Sequence, residues 1–167
     1  MNTLCPNNAD AQACACAAGC GSDPLAGDST CRPRREPSNS PSACGPKCLQ
    51  EALRRLGLGV GLPELLRRCK TSHEGTSIRD LLSAAQSLGL RALVCKAGLD
   101  QLARIVLPAH RAVIAHVHPD HFVVVESVNC ERLRVWDPNE GACQWRGDEF
   151  RTAWAGVCIV ISAPDSR

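Results

Sequence analysis

Two groups of residues in this chain could do chemistry. HVHPDHF, running from His116 to Phe122, gathers three of the five histidines and Asp120 around one proline. Cys44 is one of twelve cysteines, and it opens the segment CGPKCLQEALRRLG. The histidine cluster admits two readings. Taken whole, it is H-x-H-x-D-H, the spacing of a metallo-β-lactamase-type metal site. Taken at its last member alone, it offers His121 as the base for a cysteine nucleophile elsewhere in the chain.

The metal reading requires further ligands later in the chain. No histidine lies beyond His121, and the motif runs straight into FVVVESV, a strand pattern, where a Gly-rich helix start would be expected. His116 and His118 fall on one face of the RAVIAHV strand, with Asp120 or a cysteine as a third ligand, but no spacing demands one. A metal-dependent hydrolase is therefore an alternative, and the main reading uses neither metal nor cofactor.

The thiol reading requires a thiolate near neutral pH, which a helix N-terminus and a nearby imidazolium both favour. Cys44 has the first of these, and Gly45 beside it leaves the sulfur uncrowded. Cys48 lies one turn further in, on the core side of the same helix, and reads as a small buried hydrophobe. Cys69, Cys95, Cys130, Cys143 and Cys158 fall in helix ends, strands or turns and read as packing or surface residues. A base must in turn be held by a carboxylate or amide. His121 starts the strand HFVVVESV and Asp137 ends the strand RLRVWD. A hairpin through the NCE turn sets His121 opposite residues 137 to 139. His121, Val123 and Val125 then share a face of one strand, and Leu133, Val135 and Asp137 a face of its partner. Asp137, in DPN, is also a natural turn residue.

These residues need elements to hold them. Leu49, Ala52, Leu53 and Leu56 recur at i, i+3, i+4 and i+7, with Pro46 suited to a first turn and Gly57 to a stop. LPELLRRC predicts a short second helix started by Pro63. GTSIRDLLSAAQSLG repeats the period through Ile78, Leu81, Leu82, Ala85 and Leu88, with Thr76 or Ser77 as N-cap and Gly89 as stop. The period then changes. RALVCKA, RAVIAHV, HFVVVESV, RLRVWD and VCIVISA are short and β-branched, and one more helix, DEFRTAWAG, precedes the last of them. Helices first and hairpin-linked strands afterwards predict an α+β fold, N-terminal helices packed on a mostly antiparallel sheet.

At 167 residues, 44% hydrophobic and 22% charged, the chain suits one globular core. A net charge of +2 and only 3% aromatics argue against nucleic acid as a partner. No apolar run reaches the roughly 20 residues that cross a bilayer. MNTLCPNNADAQ lacks the features of a secretory signal, so a cytoplasmic protein with mostly reduced thiols is expected. Residues 1–41 are Cys- and Pro-rich without hydrophobic periodicity and read as a poorly ordered extension, ahead of a domain at 42–163 and a tail at 164–167. Cys5, Cys14, Cys16, Cys20 and Cys31 match no common zinc or iron–sulfur spacing.

ACGPKCLQEALRRLG, GTSIRDLLSAAQSLGL, HPDHFVVVESV, VWDP and EFRTAWAG, in this order, resemble the bacteriocin-processing cysteine peptidases. These are papain-like domains usually fused to double-glycine-leader ABC exporters. The resemblance covers about residues 42–163. It implies a Cys44, His121 and Asp137 triad that cuts a leader or precursor peptide after a Gly-Gly or Gly-Ala site, since a narrow cleft admits only small side chains there. Two departures stand out. The family's oxyanion Gln, about six residues before the nucleophile, is Ser38 here, with Asn39 beside it as a substitute donor alongside the Cys44 backbone N–H. No transmembrane segment or G-x-x-x-x-G-K motif follows, which predicts a free-standing domain served by a separate exporter, if any. The other reading of the missing Gln is a peptide-binding module of the same fold that cleaves slowly or not at all.

Overall fold

The computed structural model describes residues 43–129 and 131–163. Three helices come first: α1 (Cys44–Arg55), α2 (Leu62–Arg68) and α3 (Ile78–Ser87). Then follow β1 (Arg91–Lys96), α4 (Leu99–Val106), β2 (Arg111–Val117), β3 (His121–Val128), β4 (Arg132–Asp137), β5 (Gly141–Arg146), α5 (Gly147–Ala153) and β6 (Trp154–Ser162). The strands form one sheet in the order β1-β6-β2-β3-β4-β5, antiparallel at every pairing. The expected α+β architecture is thus borne out, with two elements that the pattern reading passed over, α4 and β5.

Both helix stops end as their glycines dictate. Gly57 and Gly89 follow α1 and α3 with φ of +76° and +80°, a left-handed turn that costs glycine nothing. Of the two candidate caps for α3, Ser77 is the one used: its hydroxyl accepts the Asp80 N–H at 3.1 Å.

The sheet separates two cores. The alternation along β2, β3 and β6 sends Ile114, Phe122, Val124, Ile159 and Ile161 toward α1, α2 and α3. It sends Val113, Val123, Val125 and Val160 toward Leu102 of α4 and Phe150 of α5. The first five residues of β3 are therefore buried on both faces. The α1 stripe reads as expected, with Leu49, Ala52 and Leu53 fully buried and Leu56 packed at the margin.

Two polar ties fix α1 along β3. The Cys48 thiol donates to the Phe122 carbonyl at 3.2 Å. At the other end, the buried Glu51 carboxylate accepts from Arg54 and Arg55, and Arg55 also donates to Glu126 of β3 at 2.5 Å. Hydrogen bonding from Arg54, working against burial, holds the Glu51 carboxyl below its ordinary pKa. Among the described residues no helix is long and apolar enough to cross a membrane.

Leu53→Ala should cost about 2–5 kcal/mol, because the sheet beneath α1 cannot collapse into the cavity left behind. Urea denaturation with a two-state fit measures it; a loss below about 1 kcal/mol would mean that α1 is not held by this stripe.

Candidate active site

Cys44 is the first residue of α1 and His121 the first of β3, so their side chains meet where a helix end and a strand end coincide. Three local features permit the meeting. Gly45 has no side chain where a Cβ would stand 3.2 Å from the Thr76 Cβ and 3.6 Å from the Phe122 Cδ2. The Cys48–Phe122 hydrogen bond holds the first turns of α1 against the residue next to His121. The β2–β3 turn passes through Asp120 at φ +47°, a left-handed conformation that a short polar side chain tolerates.

Asp137 arrives from the neighbouring strand. The β3–β4 register pairs Val124 with Trp136 and Val125 with Val135, then shifts by one between Val125 and Ser127. Continued outward, the first register puts Asp137 diagonal to His121, not directly opposite it. The diagonal is short enough: His121 Nε2 lies 2.8 Å from Asp137 Oδ2, with both side chains buried. The other carboxylate oxygen accepts the Asn139 N–H at 2.8 Å. Asp137 is thus a turn residue and an imidazole partner at once, one oxygen for each role.

With Nε2 taken by Asp137, Nδ1 is the ring nitrogen left for the Cys44 thiol, to which His121 is also hydrogen-bonded. Burial pulls the imidazole pKa down. Hydrogen bonds to Asp137 and Cys44, and the charges on both, outweigh it and raise the pKa to about 9. Burial likewise pushes the Asp137 carboxyl up, and the His121 and Asn139 hydrogen bonds more than reverse this, so its pKa falls. Around neutral pH the favoured state of the pair is imidazolium and carboxylate, and an imidazolium beside a thiol stabilises the thiolate.

Three of the other described sulfurs are instead held as thiols. Burial first, then Cys44, Asp137 and Glu51, keeps the Cys48 thiol pKa well above its ordinary value. Burial pushes Cys69 to about 12 and Cys158 to about 11. Cys48 is fully buried, as expected from its place on α1. Cys130 and the N-terminal cysteines lie outside the described residues.

Cys44 opens onto a cleft of about 640 Å³. One wall is the 70–80 segment, with Lys70, Thr76 and Asp80; the other carries His116, Asp120 and Phe122. The His116 ring packs tilted by 46° against Phe122, with centroids 5.0 Å apart, and its Nε2 stands 3.9 Å from Asp120. Among the described residues no three His, Cys, Asp or Glu side chains gather as a metal site. Ser38 and Asn39, the oxyanion candidates, lie outside the described residues. The first wall escaped the pattern reading. GTS had been legible only as a helix start, and Lys70 at φ +48° and Gly75 at φ +104° give an irregular path with no period to find.

The decisive comparison is with protein families: a model described as the peptidase C39 family matches residues 36–166. The chain belongs to the peptidase C39 family. C39 members are cysteine peptidases. An uncharacterized protein of Methanothermobacter marburgensis is 30% identical over 119 residues, which is 71% of this chain and 81% of that protein. The lactococcin-G-processing and transport ATP-binding protein LagD of Lactococcus lactis is 29% identical over 118 residues, 70% of this chain but 17% of LagD. Among solved structures, a double glycine motif protease from an AMS/PCAT transporter, bound to its leader peptide, superposes with a TM-score of 0.68 at 23% identity. That match covers 79% of this chain and 91% of the protease. The papain-like fold of this C39 domain is borne out accordingly.

Because the His121 pKa is raised above an ordinary 6.5, its pairing with Asp137 contributes stability fully below pH 6.5 and loses it as pH rises through about 9. Imidazole NMR titration should place the His121 midpoint near 9 and move it down in Asp137→Asn, where the geometry persists without the charge. An unchanged midpoint in that variant would remove the carboxylate as the cause.

Proposed function

We propose that this chain is a cysteine endopeptidase that cleaves a leader or precursor peptide after a small-residue site of the Gly-Gly type. The observation that carries the reading is the buried chain of hydrogen bonds from Cys44 to His121 to Asp137, at the edge of a cleft. In this reading the Cys44 thiolate attacks the scissile carbonyl, and the C–N bond breaks as His121 delivers its proton to the leaving amine. Water, deprotonated by His121, then hydrolyses the thioester and returns the thiol. Asp137 keeps the imidazole in the orientation that points Nδ1 at the sulfur.

The leader peptide held by the AMS/PCAT protease and the processing named for LagD support the substrate class. LagD is an ATP-binding transporter, so a separate exporter is the proposed partner for the mature peptide. Asn39 is the proposed side-chain donor to the oxyanion, working with the Cys44 backbone N–H.

Cys44→Ala should abolish cleavage of a Gly-Gly leader peptide followed by mass spectrometry, and equal cleavage by variant and parent would end the assignment. The parent's kcat/KM should decline above pH 9 as His121 loses its proton. Asn39→Ala should lower kcat by roughly a hundredfold to a thousandfold if its amide serves the oxyanion.

One observation favours a second reading. Ser38 stands where the family carries its oxyanion Gln, and a domain without that donor can keep the fold and bind peptide without turnover. Saturable leader binding together with no alkylation of Cys44 faster than that of free cysteine would select this reading over the peptidase.

A further inference from the structure

Two cysteines outside the Cys44 cleft stand directly opposite each other. β1 and β6 run antiparallel, and their register pairs Cys95 with Cys158. Paired residues put their side chains on one face of a sheet. Here it is the face covered by α4 and α5, where Cys158 lies in the core and Cys95 packs half-buried at its margin. Both are free thiols.

The backbone fixes how near they come. The Ala97 N–H donates to the Gly156 carbonyl at 2.9 Å, and hydrogen-bonded pairs recur every second residue in an antiparallel ladder. Cys95 and Cys158 are therefore a hydrogen-bonded pair, with Cα atoms about 5.5 Å apart. A disulfide spans about 4.4–6.8 Å between Cα atoms, so the two strands already lie within bridging range. The sulfurs also feel each other. Burial first, and then the Cys95 charge, raises the Cys158 thiol to about 11.

Their unequal exposure sets an order of reaction. Cys95 lines an open groove of about 260 Å³ together with Leu93 and Ile105, which gives a small oxidant room to approach. Cys158 is 1% exposed, so the oxidant meets Cys95 first. Position in the ladder sets how long the product lasts. Cβ atoms of a hydrogen-bonded pair stand toward the wide end of about 4.5–5.5 Å, against about 3.5–4.5 Å in a disulfide. Closure pulls against the ladder, and a strained disulfide is readily reduced.

We propose that Cys95 and Cys158 form a reversible redox pair, closed by a small-molecule disulfide of the oxidised glutathione class. The Cys95 thiolate attacks one sulfur of the oxidant, forming a mixed disulfide and releasing one small thiol. Cys158, once deprotonated, attacks the Cys95 sulfur, and the bond to the small molecule breaks to release the second. Two protein thiols are oxidised, the S–S bond of the oxidant is reduced, and the two protons leave on the released thiols. The new bond fastens the edge strand β1 to β6 on the face opposite the Cys44 side of the sheet. It does not depend on the peptidase reading.

The test incubates the folded, reduced full-length chain with oxidised glutathione, alkylates the remaining thiols, and maps tryptic peptides by mass spectrometry without reduction. A link joining residues 92–96 to residues 152–167 is expected, and excess reduced glutathione should undo it. Cys158→Ala should trap glutathione on Cys95. Cys95→Ser should leave Cys158 an unmodified thiol, and it keeps the test decisive if the first variant does not fold. The linked parent should melt about 5–10 °C above the reduced one, a rise that Cys95→Ser should not show. Absence of the link, Cys95 bonded to a different cysteine, or Cys95 carrying glutathione while Cys158 stays a thiol would each overturn the pair. A link that forms only in urea would do the same. A bond that survives excess reduced glutathione would overturn its reversibility, and an equal melting rise in Cys95→Ser would overturn the fastening of β1.

Discussion

The arrangement depends on one contact: the N-terminal turns of α1 lying directly against the start of β3. A helix normally stands a full layer of side chains away from a sheet. Here Gly45 contributes none, and the Cys48 sulfur reaches the Phe122 carbonyl, so Cys44 comes within reach of the imidazole of the preceding residue. The apolar stripe of Leu49, Ala52 and Leu53 supplies the free energy that holds this approach, and the Glu51–Arg55–Glu126 chain fixes the far end of the helix. Packing and polar ties thus act along the same helix, at opposite ends.

Two thiols one turn apart have opposite electrostatic surroundings. Cys44 shares a hydrogen bond with an imidazole that a buried carboxylate keeps protonated. Cys48, for which the Lys47 charge is the smallest influence, feels that same carboxylate as a repulsion added to its burial. The Asp137 charge therefore favours an ionised sulfur through His121 and opposes one at Cys48. Selectivity between chemically identical groups comes from which of them the imidazole can touch.

Much of this was legible in the sequence, for reasons that can be named. The α1 and α3 stripes repeat over three turns and end at glycines, so both period and boundary were available. Cys44 could be chosen because a helix start is a recognisable setting, and His121 with Asp137 because a hairpin fixes which strand ends coincide. The elements passed over carry weaker signals. LDQLARIV has Leu99, Leu102, Ile105 and Val106 at helical spacing, but over only two turns. GACQWR alternates through Cys143 and Trp145 alone. The one-residue shift in the β3–β4 ladder has no mark in the residues around Ser127, so the diagonal placement of Asp137 could be bracketed but not fixed. The 70–80 wall of the cleft follows left-handed turns rather than a period. The domain boundary at 41 and 42 and the Ser38–Asn39 pair fall outside the described residues.

The carboxylate of Asp137 is also the keystone of the bend into β5, because the oxygen that His121 does not use collects the amide of Asn139. The length of that corner is consequently not a neutral trait. Insertion of even one residue between Asp137 and Gly141 would ask a single side chain to follow two diverging partners. Natural variation in related chains should accumulate in the exposed tips of other loops and leave this corner at constant size.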